Sequence, residues 1–243
     1  MKLGIMQPYF FPYLGYFDLI NRVDRWIVFD TPQYIRHGWV NRNRILHPKT
    51  GWQHIVVPLK KQARETGIKD VVIADDASWK NRILGQLSHY RKKAPYFEQT
   101  MEFVRDCLEL DESHLSRLNT KLLENVCKLL SIPFDYQVFS EMDLSIGQVS
   151  GPGDWALRIC ESLKANEYFN LPGGKELFDS AAFAKIGAKL TIPKFQNIEY
   201  QCRGYEFIPA LSIIDILMWV PPEAIHVHLA AQRNERTSSE VGN

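Results

Sequence analysis

The first 30 residues permit few folds. Residues 2–6 form a short, mostly apolar run, followed by Gln7-Pro8-Tyr9-Phe10-Phe11-Pro12, where two prolines fix φ and remove backbone donors. Phe17, Ile20 and Val23 then recur at helical spacing. Residues 26–29, Trp-Ile-Val-Phe, are apolar without interruption, as in a strand covered on both faces of a parallel sheet. Strand, turn, helix and strand in so short a space make the first half of a Rossmann-like unit. The expected fold is therefore α/β, a mostly parallel sheet with helices on both faces.

Further along, helices are predicted over residues 79–91, 96–108 and 111–130, the last with Leu115, Leu118, Leu122 and Val126 on one stripe. Strands are predicted at 53–58, 70–73, 134–139, 168–171, 190–195 and 199–202. A helix over 155–163 is expected with Asp154 as its N-cap, and another over 212–219. The polar tail from Gln232 to Asn243 is expected to fray. No repeat, low-complexity stretch or linker divides the chain, so residues 1–243 read as one α/β domain, with a helical subdomain at about 79–131 and helix again toward the C-terminus.

Charge narrows the partners. A net charge of +1 gives no general electrostatic case for nucleic acid or an anionic membrane. Cys107, Cys127, Cys160 and Cys202 lie far apart with no C-x-x-C pair, the pattern of reduced, buried thiols. His226-x-His228 is too little for a metal site, and none is expected. No apolar run approaches the roughly 18–20 residues of a membrane span; residues 207–220 are broken by Pro209 and Asp215. No signal peptide is read at the N-terminus, and the expected compartment is the cytoplasm.

Chemistry is expected first at the turn over residues 7–16. Tyr9, Phe10, Phe11, Tyr13 and Tyr16 crowd around Gly15, and Gln7 places an amide where an apolar strand ends. Ligands of open α/β sheets bind outside the carboxyl ends of the strands, and a helix beginning near Leu14 would point N–H groups at a phosphate. Pro12-Tyr13-Leu14-Gly15-Tyr16 also has the outline of the His-x-Gly-His turn of nucleotidyl-transferring Rossmann-like enzymes, with tyrosine at both histidine places.

The second candidate is Asp30 with Gln33 and Tyr34, continuing to Asn41-Arg42-Asn43-Arg44, a dense donor cluster suited to phosphate, carboxylate or sugar hydroxyls. A surface loop or edge strand would read the same way. Gly173-Gly174-Lys175 is a third candidate, either a phosphate-cradling nest or a tight turn. His37 and His54 flank the Asn-Arg cluster and are candidate general bases, with Asp30 the candidate acidic group.

Residues 6–17, Met-Gln-Pro-Tyr-Phe-Phe-Pro-Tyr-Leu-Gly-Tyr-Phe, resemble the first motif of the WbqC-like family, and Gln33-Tyr34, residues 38–45 and Lys93-Ala94-Pro95-Tyr96-Phe97 resemble its successive motifs. The likeness continues through the Gly173-Gly174 turn, Phe207-Ile208-Pro209 and residues 211–215. Thr31 departs from the acidic residue expected after Asp30. The resemblance implies bacterial surface-polysaccharide biosynthesis: acyl or aminoacyl transfer, glycyl among the candidates, or ATP-dependent amide ligation, onto a nucleotide-linked amino sugar. It implies small-molecule partners, leaves a homodimer open, and makes ATP a candidate co-substrate through an acyl-adenylate. The alternative is a binding protein whose nucleotidyltransferase-like site has lost catalysis.

Overall fold

The computed structural model describes residues 1–239, and the backbone alone of Lys175 and residues 234–239. Strand β1 (Lys2–Met6) leads through the aromatic turn into α1 (Leu14–Asn21) and β2 (Arg25–Val28). β1 and β2 pair in parallel, Leu3 opposite Arg25 and Met6 opposite Val28. The chain then leaves the sheet for an antiparallel hairpin, β3 (Arg42–Leu46) and β4 (Trp52–Val56), and three helices, α2 (Trp79–Leu87), α3 (Phe97–Leu108) and α4 (Leu115–Leu129). It returns as β5 (Tyr136–Val138), α5 (Pro152–Ser162), β6 (Glu167–Phe169), α6 (Ser180–Lys185) and β7 (Lys189–Thr191), and ends in α7 (Ile213–Trp219) and α8 (Pro222–Ser239).

The main sheet has the order β5-β2-β1-β6-β7, with every pairing parallel. Numbered by their own succession, these strands run 3-2-1-4-5, the Rossmann-like order, and the winding reverses between β1 and β6. Strand alternation explains the two layers. Leu3, Ile5, Ile27 and Tyr168 face α5 and α6, meeting Ile159, Cys160 and Phe183. Trp26, Val28 and Phe169 belong to the larger cluster on the other face, with Phe17 and Ile20 of α1 and Leu118 and Leu122 of α4. The helical middle joins that cluster: Thr100 of α3 donates its hydroxyl to the Leu217 carbonyl of α7 at 2.8 Å.

The strand predicted at 53–58 is present as β4, in the hairpin, with Trp52 and Val56 exposed and Ile55 buried, a strand with one covered face. Other expectations are corrected. Residues 70–73 are a 3-10 turn (Ile68–Asp70) followed by isolated bridges at Val72 and Ile73. Residues 199–202 form no strand; Tyr200 is instead held by its hydroxyl, which donates to Asp215 at 2.8 Å. Gly151 occupies the N-cap of α5, and Asp154 sits in its first turn, accepting from the Ser150 N–H at 2.9 Å. The tail expected to fray is helical to Ser239, because Ile225 and Leu229 bury the start of α8 and Asn21 donates to the Leu229 carbonyl; residues 240–243 lie outside the described residues. Among the described residues no single helix is long and apolar enough to cross a membrane.

A cavity at the switch point of the sheet

Where β1 and β6 diverge, their carboxyl ends open into a cavity of about 950 Å³. Its floor is the aromatic turn. Phe10 and Phe11 point away into the core, fully buried, and Phe11 takes a positive φ of 41°, a costly conformation for a bulky side chain. Distant elements hold the turn by its carbonyls. Asn119 of α4 donates to Pro8 at 2.8 Å and to Val40 at 2.7 Å. Asn43 of β3 donates to Phe10 and Phe11 at 3.0 and 2.8 Å, and the Ser212 hydroxyl donates to Phe11 at 2.8 Å. So fixed, the turn presents Gln7, Tyr9 and Tyr13 to the cavity.

Tyr13 lies across the first turn of α1. A β-carbon on Gly15 would stand 2.4 Å from its ring, so the ring fits only because residue 15 is glycine. Burial, with smaller contributions from the charges of Asp18 and Tyr9, pushes the Tyr13 phenol up to about 12, so it remains a proton donor at neutral pH. Burial likewise raises Tyr9. Tyr16 does not line the cavity. It is fully buried against Trp26, ring centres 5.2 Å apart, and its hydroxyl donates to the Gln7 carbonyl at 2.8 Å.

The hairpin side of the cavity carries Gln33, Trp39, Asn43 and Arg44. The Gln33 amide donates to the Arg64 carbonyl at 2.6 Å. The Arg44 guanidinium lies between two indoles, 5.2 Å from the ring centre of Trp39 and 5.3 Å from that of Trp52. Its Nη2 donates to the Ala210 carbonyl at a long 3.4 Å, and its Nε is buried without a partner. The opposite wall carries Asn170 at the end of β6, the Gly173-Gly174 turn, and Ser150, Gly151 and Trp155 at the start of α5. Gly174 does not form an open nest: it lies within a 3-10 turn (Pro172–Leu177), and its N–H donates to the Leu171 carbonyl at 3.0 Å. The Lys175 side chain is outside the described residues.

Six other expected site residues are absent from the lining. Asp30 is buried at the end of β2, accepting from the Ser140 N–H at 3.0 Å and hydroxyl at 2.7 Å. The Tyr34 hydroxyl donates to Asn41, and Asn41 donates to the Val57 carbonyl. Arg42 donates to the Gly38 and His37 carbonyls. His37 stands in the exposed loop that Arg42 ties down. His54 pairs across the hairpin with Arg44; burial first, then the charges of Arg42, Arg44 and His37, lowers its pKa and favours the neutral ring. Arg44 is therefore the only charged residue among the described lining, which holds no carboxylate, imidazole or thiol.

Sequence reasoning did not single out Trp155 and Asn170, and it noted Thr31 only as a departure from an acidic residue; Thr31 lines the cavity with a buried hydroxyl that has no partner. Asn170 had a signal: it ends an apolar run at the strand flanking the reversal, where ligands bind. Among the described residues no group of three or more His, Cys, Asp and Glu is placed to hold a metal ion; His226 and His228 instead contact the Leu130 and Gln196 carbonyls.

A model of the WbqC-like protein family matches residues 7–227, from the Gln7 that floors the cavity to the last helix. The chain belongs to the WbqC-like family. This WbqC-like protein is 30% identical over 226 residues to the uncharacterized protein Rv1507c of Mycobacterium tuberculosis, a match covering 92% of this chain and 95% of that one. No solved structure matches the WbqC-like chain.

Proposed function

We propose that the cavity binds a nucleotide-linked amino sugar, and that the protein transfers an acyl or aminoacyl group, glycyl among the candidates, to its amino group in bacterial surface-polysaccharide biosynthesis. The observation that carries this reading is the lining: aromatic walls at the switch point of a Rossmann-like sheet, several uncharged amides and hydroxyls, and one guanidinium. Aromatic faces suit a base or sugar ring, and a lone cation suits a phosphate. Acylation of an amine by an activated donor depends on orientation and on donors aimed at the developing oxyanion more than on a strong base. Gln7, Tyr13 and Asn170 supply such donors.

The nucleotidyltransferase-like comparison supports binding more than adenylation. Of the two tyrosines at the places of the imidazoles, Tyr13 caps α1 and Tyr16 is buried. ATP would then serve as donor chemistry only if its adenylate forms without those imidazoles. A second reading is a non-catalytic nucleotide-sugar-binding protein, favoured by the lack of any carboxylate, imidazole or thiol in the described lining. The cytoplasm, where nucleotide-linked sugars are handled, is the proposed compartment.

Both readings are tested by calorimetry with a panel of nucleotide-linked amino sugars, then incubation with glycine plus ATP or with acyl thioesters, followed by mass spectrometry. A mass increase of one acyl group on the sugar supports transfer. Tight binding without product across the donors selects the second reading, and no binding by any sugar nucleotide overturns both.

A further inference from the structure

A Rossmann-like sheet ordinarily seats phosphate on the N–H groups at the start of the helix that follows its first strand. Here that place is taken: the Tyr13 ring lies over Gly15, and the Tyr16 N–H is spent on the Tyr13 carbonyl at 3.0 Å. The other two candidates are closed as well. The Gly174 N–H is bonded to Leu171. The start of α5 has Pro152, which carries no N–H, and the Asp154 carboxylate in its first turn, a charge that repels an anion.

What remains is Arg44. A guanidinium has five N–H donors in a planar fork, and here a single long hydrogen bond, to Ala210, occupies it, while its Nε is buried and unpartnered. Trp39 and Trp52 hold the plane between their rings, so the fork is oriented before a ligand arrives. The surroundings add a field. Residues 31–69 contain eight Lys and Arg against the single acidic residue Glu65, and among the described residues only Lys60 and Lys69 of these form ion pairs, with Asp75 and Asp70. Such a segment beside the cavity concentrates anions at its mouth.

From these observations we infer that the diphosphate of the bound ligand sits on Arg44 at the mouth of the cavity, displaced from the α1 terminus to the added hairpin, with Trp39 and Trp52 as positioning residues. This rests on the nucleotide-sugar reading for the identity of the ligand and on the geometry alone for the place of the anion. The base or sugar of the ligand then lies toward the other wall of the cavity, among Phe29, Trp155 and Asn170.

Calorimetry with inorganic pyrophosphate, and with uridine diphosphate against uridine, tests it. The wild-type protein binds pyrophosphate, and Arg44→Gln weakens this by about ten-fold or more, the scale of a lost charge-assisted fork. The same substitution collapses the preference for the diphosphate over the nucleoside and leaves affinity for the nucleoside unchanged, which a general loss of structure would not do. Arg44→Lys keeps the charge and restores only part of the preference, and Trp52→Ala, at an exposed position, lowers it by a smaller factor. Failure of the wild type to bind pyrophosphate, or unchanged pyrophosphate binding in Arg44→Gln, overturns the inference. If sugar nucleotides bind equally to wild type and Arg44→Gln, the functional reading stands and the Arg44 site falls; if pyrophosphate binding depends on Arg44 but no sugar nucleotide binds, the reverse holds.

Discussion

Asn119 shows how a single amide can fix a site without touching a ligand. It is fully buried in α4, and its two donors are spent on the carbonyls of Pro8, in the aromatic turn that floors the cavity, and of Val40, in the loop before β3. Asn119→Ala leaves both carbonyls buried and unpaired, which costs on the order of 2–4 kcal/mol, read as a lower urea midpoint. Gly15→Ala is expected to behave differently. The new methyl meets the Tyr13 ring, the far end of a side chain that can swing into the cavity, so stability falls little while ligand affinity drops; calorimetry against urea denaturation separates the two. At this scale the sequence was informative where residues follow a strand end, as Gln7, Tyr9 and Tyr13 do. It could not say that the Asn-Arg-Asn-Arg donors divide their work. Asn41, Arg42 and Asn43 donate to carbonyls of the protein itself, and of the four only Arg44 has a buried donor without a partner, a difference that depends on which neighbours fold against them. The same holds for Asp30, whose oxygens are met by Ser140, 110 positions away.

Among elements, the contact between the start of α5 and the 3-10 turn after β6 sets the width of the cavity. A β-carbon on Gly153 would lie 1.9 Å from the Leu177 carbonyl oxygen, and this neighbour is backbone, so it cannot rotate away. Gly153→Ala therefore pushes the two segments apart, at about 1–3 kcal/mol by the usual cost of overpacking, and both segments line the site. The expected outcome is weaker ligand binding together with a lowered melting temperature, in contrast to Gly15→Ala. Element types were legible wherever periodicity was strong, as in α4 and β1. Of the hairpin, β4 was legible as the strand at 53–58, but β3 was not, because its charged residues Arg42 and Arg44 on the outward face break any apolar run. The order of the main sheet was equally out of reach, since it is decided by long crossovers and not by any local pattern.

Over the whole molecule, burial also governs the thiols. All four cysteines are free and buried, and burial pushes Cys107, Cys160 and Cys202 up to about 12 and Cys127 further in the same direction. Only thiolate reacts, so a thiol reagent at pH 8 should find none in the native protein and all four after denaturation. The sign of the linkage follows. Above the ordinary thiol value of about 8.5 the unfolded chain loses protons that the folded chain keeps, so stability falls as pH rises from there toward 12. Urea midpoints at pH 8 and pH 10 check it; an unchanged midpoint would contradict the shifts.

The two faces of the sheet are covered unequally. One wall of the cavity grows from the large cluster that unites α1, α4 and α7, and the other from the small cluster beneath α5 and α6. Fewer apolar contacts mean a lower free energy of local opening, so amide protons of α5 and β7 should exchange with solvent before those of β1 and α4. A molecule lodged between the walls would join the weakly held layer to the strong one. Its presence would then be registered as slowed exchange in α5, far from the hairpin that first meets it.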